Sequence, residues 1–220
     1  MAYVDFVMKL HNTTKRDYLE RVVQHDKPAC SEVAIQYGKE YWDGDRKYGY
    51  GGFRYDGRSR SVAEDIVRHY QLKPTDSILD VGCGKGFLLY EFTQVLPGVT
   101  VAGLDLSPYA IEHAKEEVKP FLRVGNAVTL PWPDQRFDFV VSLGTLHNLY
   151  NYELKQALQE IERVGKRKKH VMVESYRNER EKANLLYWQL TCRAFHTPKE
   201  WEWLFAQSGY TGDYSYIAFE

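Results

Sequence analysis

The segment LDVGCGKGF, Leu79 to Phe87, concentrates the residues with the clearest chemistry. A short apolar run ends in Asp80-Val81, and Gly82, Gly84 and Gly86 alternate around Cys83 where a helix should begin. Glycines let a backbone approach a ligand closely and adopt positive φ. The start of a helix leaves amide donors free beside them. The spacing is GxGxG. The dinucleotide fingerprint GxGxxG would need a small residue at position 87, and Phe87 stands there. Asp105 closes the next apolar run, VAGLDLS, where its carboxylate can accept from both hydroxyls of a ribose; its other reading is a helix-start charge beside Ser107. Cys83 reads as a packing residue rather than a nucleophile.

Further along, three groups could act on a substrate. His147 follows the fourth apolar run and reads either as a general base near neutral pH or as a residue packing a short helix. ESYR, Glu174 to Arg177, places the carboxylate of Glu174, the phenol of Tyr176 and the guanidinium of Arg177 together as a polar cradle, unless Glu174 and Arg177 pair within their loops. Arg54 or Arg58 can grip a carboxylate or phosphate, or be solvated. His196, Trp201 and Trp203 lie where one wall of a site would stand, although Trp201, Leu204 and Phe205 read as core.

The elements that must position these residues follow from periodicity. Thr14 to Gln24 reads as a helix with Thr14 and Asp17 as an approximate capping box. Tyr37 to Arg60, dense in Gly, Tyr and charge, reads as a long ordered loop. A helix from Ser61 presents Val62, Ile66, Val67 and Tyr70. Strands are predicted at Ser77–Val81, Val99–Leu104, Phe121–Val124, Phe137–Leu143, His170–Ser175 and near Thr211–Phe219. Helices are predicted from Gly86, from Ser107 to about Val118, through Leu154–Val164, and near Glu179–Cys192 and Pro198–Ser208. GKRKKH, Gly165 to His170, reads as a polar helix terminus and turn. Strands alternating with helices predict a single doubly wound α/β domain, its sheet mostly parallel with six to seven strands, at residues 61–220, behind an N-terminal helical and loop lid at 1–60.

Composition agrees. Of 220 residues, 44% are hydrophobic and 27% charged, which suits one globular domain, and the formal net charge of -1 makes a nucleic-acid partner unlikely. Three dispersed cysteines argue for a reducing compartment and against a disulfide scaffold, and no metal-like spacing occurs, so no metal is expected. Met1 to Lys15 lacks an apolar core of signal-peptide type and no apolar run approaches a membrane span, so the expected location is the cytoplasm. The 17 tyrosines and five tryptophans cluster largely outside the strands, where they either line a pocket or pack the flanking helices.

Asp80 to Gly86 and Gly103 to Ser107 resemble the first two motifs of class I S-adenosylmethionine (SAM)-dependent methyltransferases. Gly125 to Ser142 resembles the third and SLGTLHNL, Ser142 to Leu149, the segment after the fourth strand. Two positions depart from the pattern: Asn126 stands where the family has an acid, and Asn148 where it often has a second histidine. The resemblance implies SAM as cofactor, with S-adenosylhomocysteine as product. It implies that Gly82, Cys83 and Gly84 pass under the methionine part, that Asp105 holds the ribose, and that Leu106 flanks the adenine. It implies further that Asn126 and Ala127 meet the adenine edge and that the Leu143 backbone meets the amino group. Relatives often cover the pocket with an N-terminal segment whose tyrosine, here Tyr37, contacts the cofactor. They usually finish with two strands, the last antiparallel; too few residues follow Tyr210 for both. Asn178 to Thr197 is an insertion, available to substrate binding or a homodimer contact. The whole chain faintly resembles methyltransferases encoded beside bacterial surface-polysaccharide genes, which implies a sugar-type acceptor. The expected function is methyl transfer to a small polar metabolite, with a protein or RNA methyltransferase, or a SAM-binding protein without transfer, as alternatives.

Overall fold

Runs such as SILDV and FDFVVSL are apolar at successive positions, so both faces of their strands must be covered. The computed structural model describes residues 1–14 and 16–220 and meets that demand with one six-stranded sheet. Its strands are β1 (Ser77–Val81), β2 (Thr100–Asp105), β3 (Leu122–Val124), β4 (Phe137–Leu143), β5 (Gly165–Glu174) and β6 (Asp213–Ile217). Their spatial order is β3-β2-β1-β4-β5-β6, and every neighbouring pair is parallel. The order reverses between β1 and β4, and the carboxyl ends there are where such sheets bind ligands.

Side chains alternate between two cores. Ile78, Phe139 and Val141 join Val62, Ile66, Leu89 and Phe92, carried by α5 (Arg60–Tyr70) and α6 (Phe87–Val95), on one face. Leu79, Val81 and Val140 join Leu158, Ile161, Trp201 and Phe205, carried by α8 (Asn151–Val164) and α10 (Pro198–Gln207), on the other. Trp201, Leu204 and Phe205 are therefore core, as their spacing indicates. The remaining helices are α1 (Met8–His11), α2 (Tyr18–Val23), α3 (Lys27–Ala34), α4 (Lys39–Asp43), α7 (Pro108–Glu112) and α9 (Glu179–Trp188).

Several elements differ from expectation. The helix at Thr14–Gln24 shrinks to α2, because Asp17 rather than Thr14 caps it, accepting from the Glu20 amide at 2.8 Å; Lys15 lies outside the described residues. The long loop contains α4 and a 3-10 turn at Arg46–Tyr48, and α3 precedes it unannounced. The helix from Ser107 stops at Glu112 instead of Val118. The Lys115 amide bonds the Lys85 carbonyl at 2.9 Å, which pulls the chain over the start of α6. α9 ends at Trp188 rather than Cys192, with Gln189 already extended.

The basic run is not a turn. β5 starts at Gly165, directly after α8, and Lys169 is buried against Glu162 (3.0 Å) while Lys166 pairs with Asp138 (2.7 Å). These two lysines neutralise internal carboxylates. The sheet also ends differently from the pattern of relatives. β6 lies parallel beside β5, and residues 2–4 dock on its free edge through Val4 N–H to Tyr214 O (2.9 Å) and Tyr214 N–H to Ala2 O (3.0 Å).

Candidate active site

The turn after β1 is tied to β2. The amides of Gly82 and Cys83 both donate to the Leu104 carbonyl, at 2.7 and 3.1 Å. Gly82 has φ +87°, and a Cβ there would lie 2.0 Å from Thr145 Oγ1; only glycine fits. Gly84, at φ +53°, runs beneath the Trp42 indole, 3.0 Å from where its Cβ would be. Gly86 caps α6. Asp105, at the end of β2, accepts from the Gly84 amide through Oδ2 and from the Ser107 amide through Oδ1, both at 2.8 Å. Each oxygen keeps an unused lone pair. Burial raises the Asp105 pKa, and the two amides oppose that rise. Beneath it, burial first and the Asp105 charge second push Asp80 up to about 8.

Trp42 seals this turn from above. Its indole N–H donates to the Tyr37 carbonyl (3.0 Å) and to Ser107 Oγ (2.9 Å), and its ring stacks on Tyr50 at 5.3 Å. Tyr37 itself has φ +48°, and burial pushes its phenol up to about 12. Leu106 is half exposed and Asn126 exposed; Asn126 Oδ1 already accepts from the Val128 amide at 3.1 Å, which leaves its NH2 as the free polar edge. Ala127 is buried. Cys83 is buried with its thiol pushed well up by burial, so it is an inert packing group.

A cavity of about 640 Å³ opens at the carboxyl ends of β4, β5 and β6. Its floor includes Leu143, Gly144, His147, Met172, Glu174 and Ile217; its roof comes from Tyr41, Arg46, Gly49, Tyr50 and residues 52–59; one side comes from Leu10, His11, Thr14, Arg16 and Arg21 and the other from Trp188 to Thr191. In the floor, His147 and Glu174 are both buried, with Nε2 3.4 Å from Oε2. The Glu174 amide donates to His147 Nδ1 at 3.3 Å, so the proton of the neutral ring sits on Nε2. Glu174 Oε1 accepts from the Gln189 side chain, while Oε2 is buried with no hydrogen-bond partner. Burial pushes Glu174 up to about 8 and His147 down to about 3. At neutral pH the histidine is uncharged and the carboxyl holds its proton, ready to lose it just above neutrality.

Comparison with known proteins turns on residues 72–209, which match a family model described as a methyltransferase domain. That match covers more than half of the chain and all four segments singled out in the sequence. The chain belongs to the methyltransferase domain family. Its class I SAM-dependent resemblance is thereby borne out, as is the expected α/β fold. Among curated relatives of this methyltransferase domain, the demethylmenaquinone methyltransferase of Symbiobacterium thermophilum is 36% identical over 110 residues, covering 46% of this chain and 43% of that protein. The protein of the same name from Lysinibacillus sphaericus is 33% identical over 107 residues, covering 46% and 45%. The chain thus matches less than half the length of these relatives. Two solved structures share the fold. YcgJ from Bacillus subtilis superposes with TM-score 0.55 at 19% identity, over 66% of each chain. A chain of the Haloferax volcanii complex of the Trm112 methyltransferase activator gives 0.56 at 18% identity, over 89% of this chain and 77% of that one.

The methyltransferase domain brings together only some of the residues that sequence singles out. His147, Glu174, Leu143, Arg54 and Arg58 line the cavity, although Arg58 is already paired with Asp56. Tyr176 and Arg177 do not line it. The Tyr176 ring packs under the Lys182 ammonium at 5.3 Å, and Arg177 forks onto Glu181 and also binds Glu220, because the chain turns away into α9 after Ser175. His196 is held outside by Asn151 Oδ1 (2.8 Å) and by Trp201. The cavity also contains residues that no motif signals: Arg16, Arg21, Arg46, Trp188 and Gln189. Only the packing of α2 on α9 unites Arg16 and Arg21 with Trp188, and short elements at opposite ends of a sequence carry no local sign of that contact. Among the described residues, no helix is long and apolar enough to cross a membrane.

Proposed function

We propose that this chain transfers a methyl group from SAM to a small polar molecule held in the 640 Å³ cavity. The observation that carries the reading is the adjacency of two features. A glycine turn braced by Asp105 stands at the β1–β2 end of the switch point, and a partly open polar cavity with a proton-holding carboxyl group stands at the β4–β5 end.

The residues present fit SAM. Asp105 has one lone pair free on each oxygen for a ribose diol, Leu106 offers an exposed apolar face to a base, and the Asn126 amide can donate to a ring nitrogen. Tyr37 and Trp42 lie over the same turn, which suits the covering role expected of residues 1–60. When bound, SAM supplies a methyl group made electrophilic by its sulfonium. The chain's own task is to orient the acceptor and exclude water. Glu174 Oε2 is the atom that would take the acceptor's proton, with His147 Nε2–H beside it to stabilise the carboxylate that precedes transfer. The relatives named demethylmenaquinone methyltransferase suggest demethylmenaquinone as acceptor, but a cavity with several arginines and a carboxyl group favours a small polar molecule.

The test is methyl-donor consumption by the purified chain over a metabolite library, with RNA and protein extracts as parallel arms. Turnover on a small polar metabolite supports the proposal. Turnover confined to RNA or protein, or tight SAM binding with no turnover in any arm, overturns it.

A further inference from the structure

Three arginines, two from the segment around α2 and one from the turn after α4, surround one indole inside the cavity. The guanidinium carbons of Arg16, Arg21 and Arg46 lie 5.4, 4.6 and 5.2 Å from the Trp188 ring centre. Among the described residues, no carboxylate stands within 4.0 Å of any of these three side chains, whereas Arg58, on the same cavity, is paired with Asp56. Their hydrogen bonds go to backbone carbonyls, one imidazole and, from Arg16, the Tyr18 hydroxyl. Arg16 binds the carbonyls of His11 and Thr14 and His11 Nδ1; Arg21 binds the Arg46 carbonyl; Arg46 binds those of Gly49 and Tyr50. The Nε atoms of Arg16 and Arg21 are buried with no partner at all.

Such a cluster is costly when empty. Arg16 and Arg21 are half-buried and Arg46 is exposed; a cation drawn partly out of water needs pairing or hydrogen bonds, and like charges brought together repel. Burial lowers the pKa of all three groups, and the Arg46 charge lowers those of Arg16 and Arg21 further. The carboxyl group of Glu174 also faces the cavity and favours the Arg16 charge when ionised, but burial keeps its proton on at neutral pH. The indole face meets part of the demand through cation–π contact. The unfilled N–H donors remain, in a fork geometry that matches carboxylate and phosphate oxygens.

We infer that Arg16, Arg21 and Arg46 around Trp188 form an anion subsite, so the methyl acceptor carries a carboxylate or phosphate group. This rests on the methyl-transfer reading and adds the charge class of its substrate. It also puts the anion grip on Arg16, Arg21 and Arg46 rather than on Arg54 and Arg58.

The experiment is calorimetric titration of the full chain, saturated with S-adenosylhomocysteine, with inorganic phosphate and separately with succinate, against sodium chloride at equal ionic strength. Binding of either anion to the saturated protein is expected, at least ten-fold weaker in Arg21→Gln and in Arg46→Gln and unchanged in Arg68→Gln, a distant surface control. Which anion binds tells a phosphoryl from a carboxyl acceptor. Retained S-adenosylhomocysteine affinity in the arginine variants shows that they fold. Three results overturn the inference: no anion binding beyond chloride to the wild-type protein, equal binding in all variants, or anion binding that S-adenosylhomocysteine abolishes, since the arginines would then hold the cofactor's own carboxylate. S-adenosylhomocysteine binding without anion binding removes this inference alone. Failure to bind S-adenosylhomocysteine removes the methyl-transfer reading beneath it.

Discussion

Replacing Glu174 by glutamine tests the electrostatics of the cavity floor. Burial raises the folded-state pKa of this carboxyl from its ordinary 4.5 to about 8. The folded protein therefore binds the proton more tightly than the unfolded chain. The group's favourable contribution is complete below about pH 4.5 and is lost as pH rises toward 8. At about 1.4 kcal/mol per pKa unit, such a shift has a ceiling of about 5 kcal/mol. Relaxation of the surroundings on ionisation removes part of the penalty, so about 2–3 kcal/mol is the expected change. Glutamine keeps the shape and the polar contact to Gln189 but cannot ionise. Urea unfolding of both proteins at intervals from pH 5 to pH 9 isolates the effect, because every other titrating group is shared. The wild type should lose about 2–3 kcal/mol relative to Glu174→Gln over that range. A difference between the two that stays flat within about 0.5 kcal/mol would refute the claim that burial holds a proton on Glu174. In turnover assays with an acceptor, kcat should rise toward pH 8 in the wild type, and the rise should vanish in the variant.

Three further outcomes follow from the geometry. Asp105→Ala should weaken SAM binding ten-fold or more in calorimetry, since it removes the acceptor at the end of β2 and leaves the Gly84 and Ser107 amides unpaired; unchanged affinity contradicts the ribose role. Gly82→Ala should cost about 2 kcal/mol or more in chemical denaturation, because its Cβ would strike Thr145 at a positive φ; a variant as stable as wild type would show that the turn can relax. Trp42→Ala removes the bonds to Tyr37 and Ser107 and the cover over Gly84. Trypsin should then cut at Arg46, Arg54 or Arg58 several-fold faster, and equal rates would mean that the lid is held elsewhere.

The α/β core is legible because its signals are local. SILDV and FDFVVSL return as β1 and β4 with the expected bounds, and the stripe Leu154, Ala157, Leu158, Ile161, Val164 is buried along α8 as its spacing demands. The misreadings arise where tertiary contacts decide. GKRKKH looks like a solvated turn until Glu162 and Asp138 are known to face Lys169 and Lys166. The helix after Ser107 has the pattern to continue, but a bond to the Lys85 carbonyl ends it. At the candidate site, Gly82, Gly84 and Asp105 follow from motif spacing, and His147 and Glu174 from their position after strands. Tyr176 and Arg177 stand beside Glu174 in sequence, but the chain turns away into α9 after Ser175; His196, expected on one wall from its C-terminal helical setting, is held by Asn151 instead. The arginines of the N-terminal segment had no strand or glycine turn to mark them.

The docking of residues 2–4 on the edge of β6 has a consequence for assembly order. The Ala2 amide also binds Asp213, 211 positions away. A ribosome releases the first segment long before it makes its partner, so the wall carrying Arg16 and Arg21 waits until the last strand has joined the sheet. The same docking caps backbone groups that would otherwise recruit a foreign strand. Val4→Pro, which removes the bond from Val4 N–H to Tyr214 O, should therefore both slow maturation of the pocket and promote self-association.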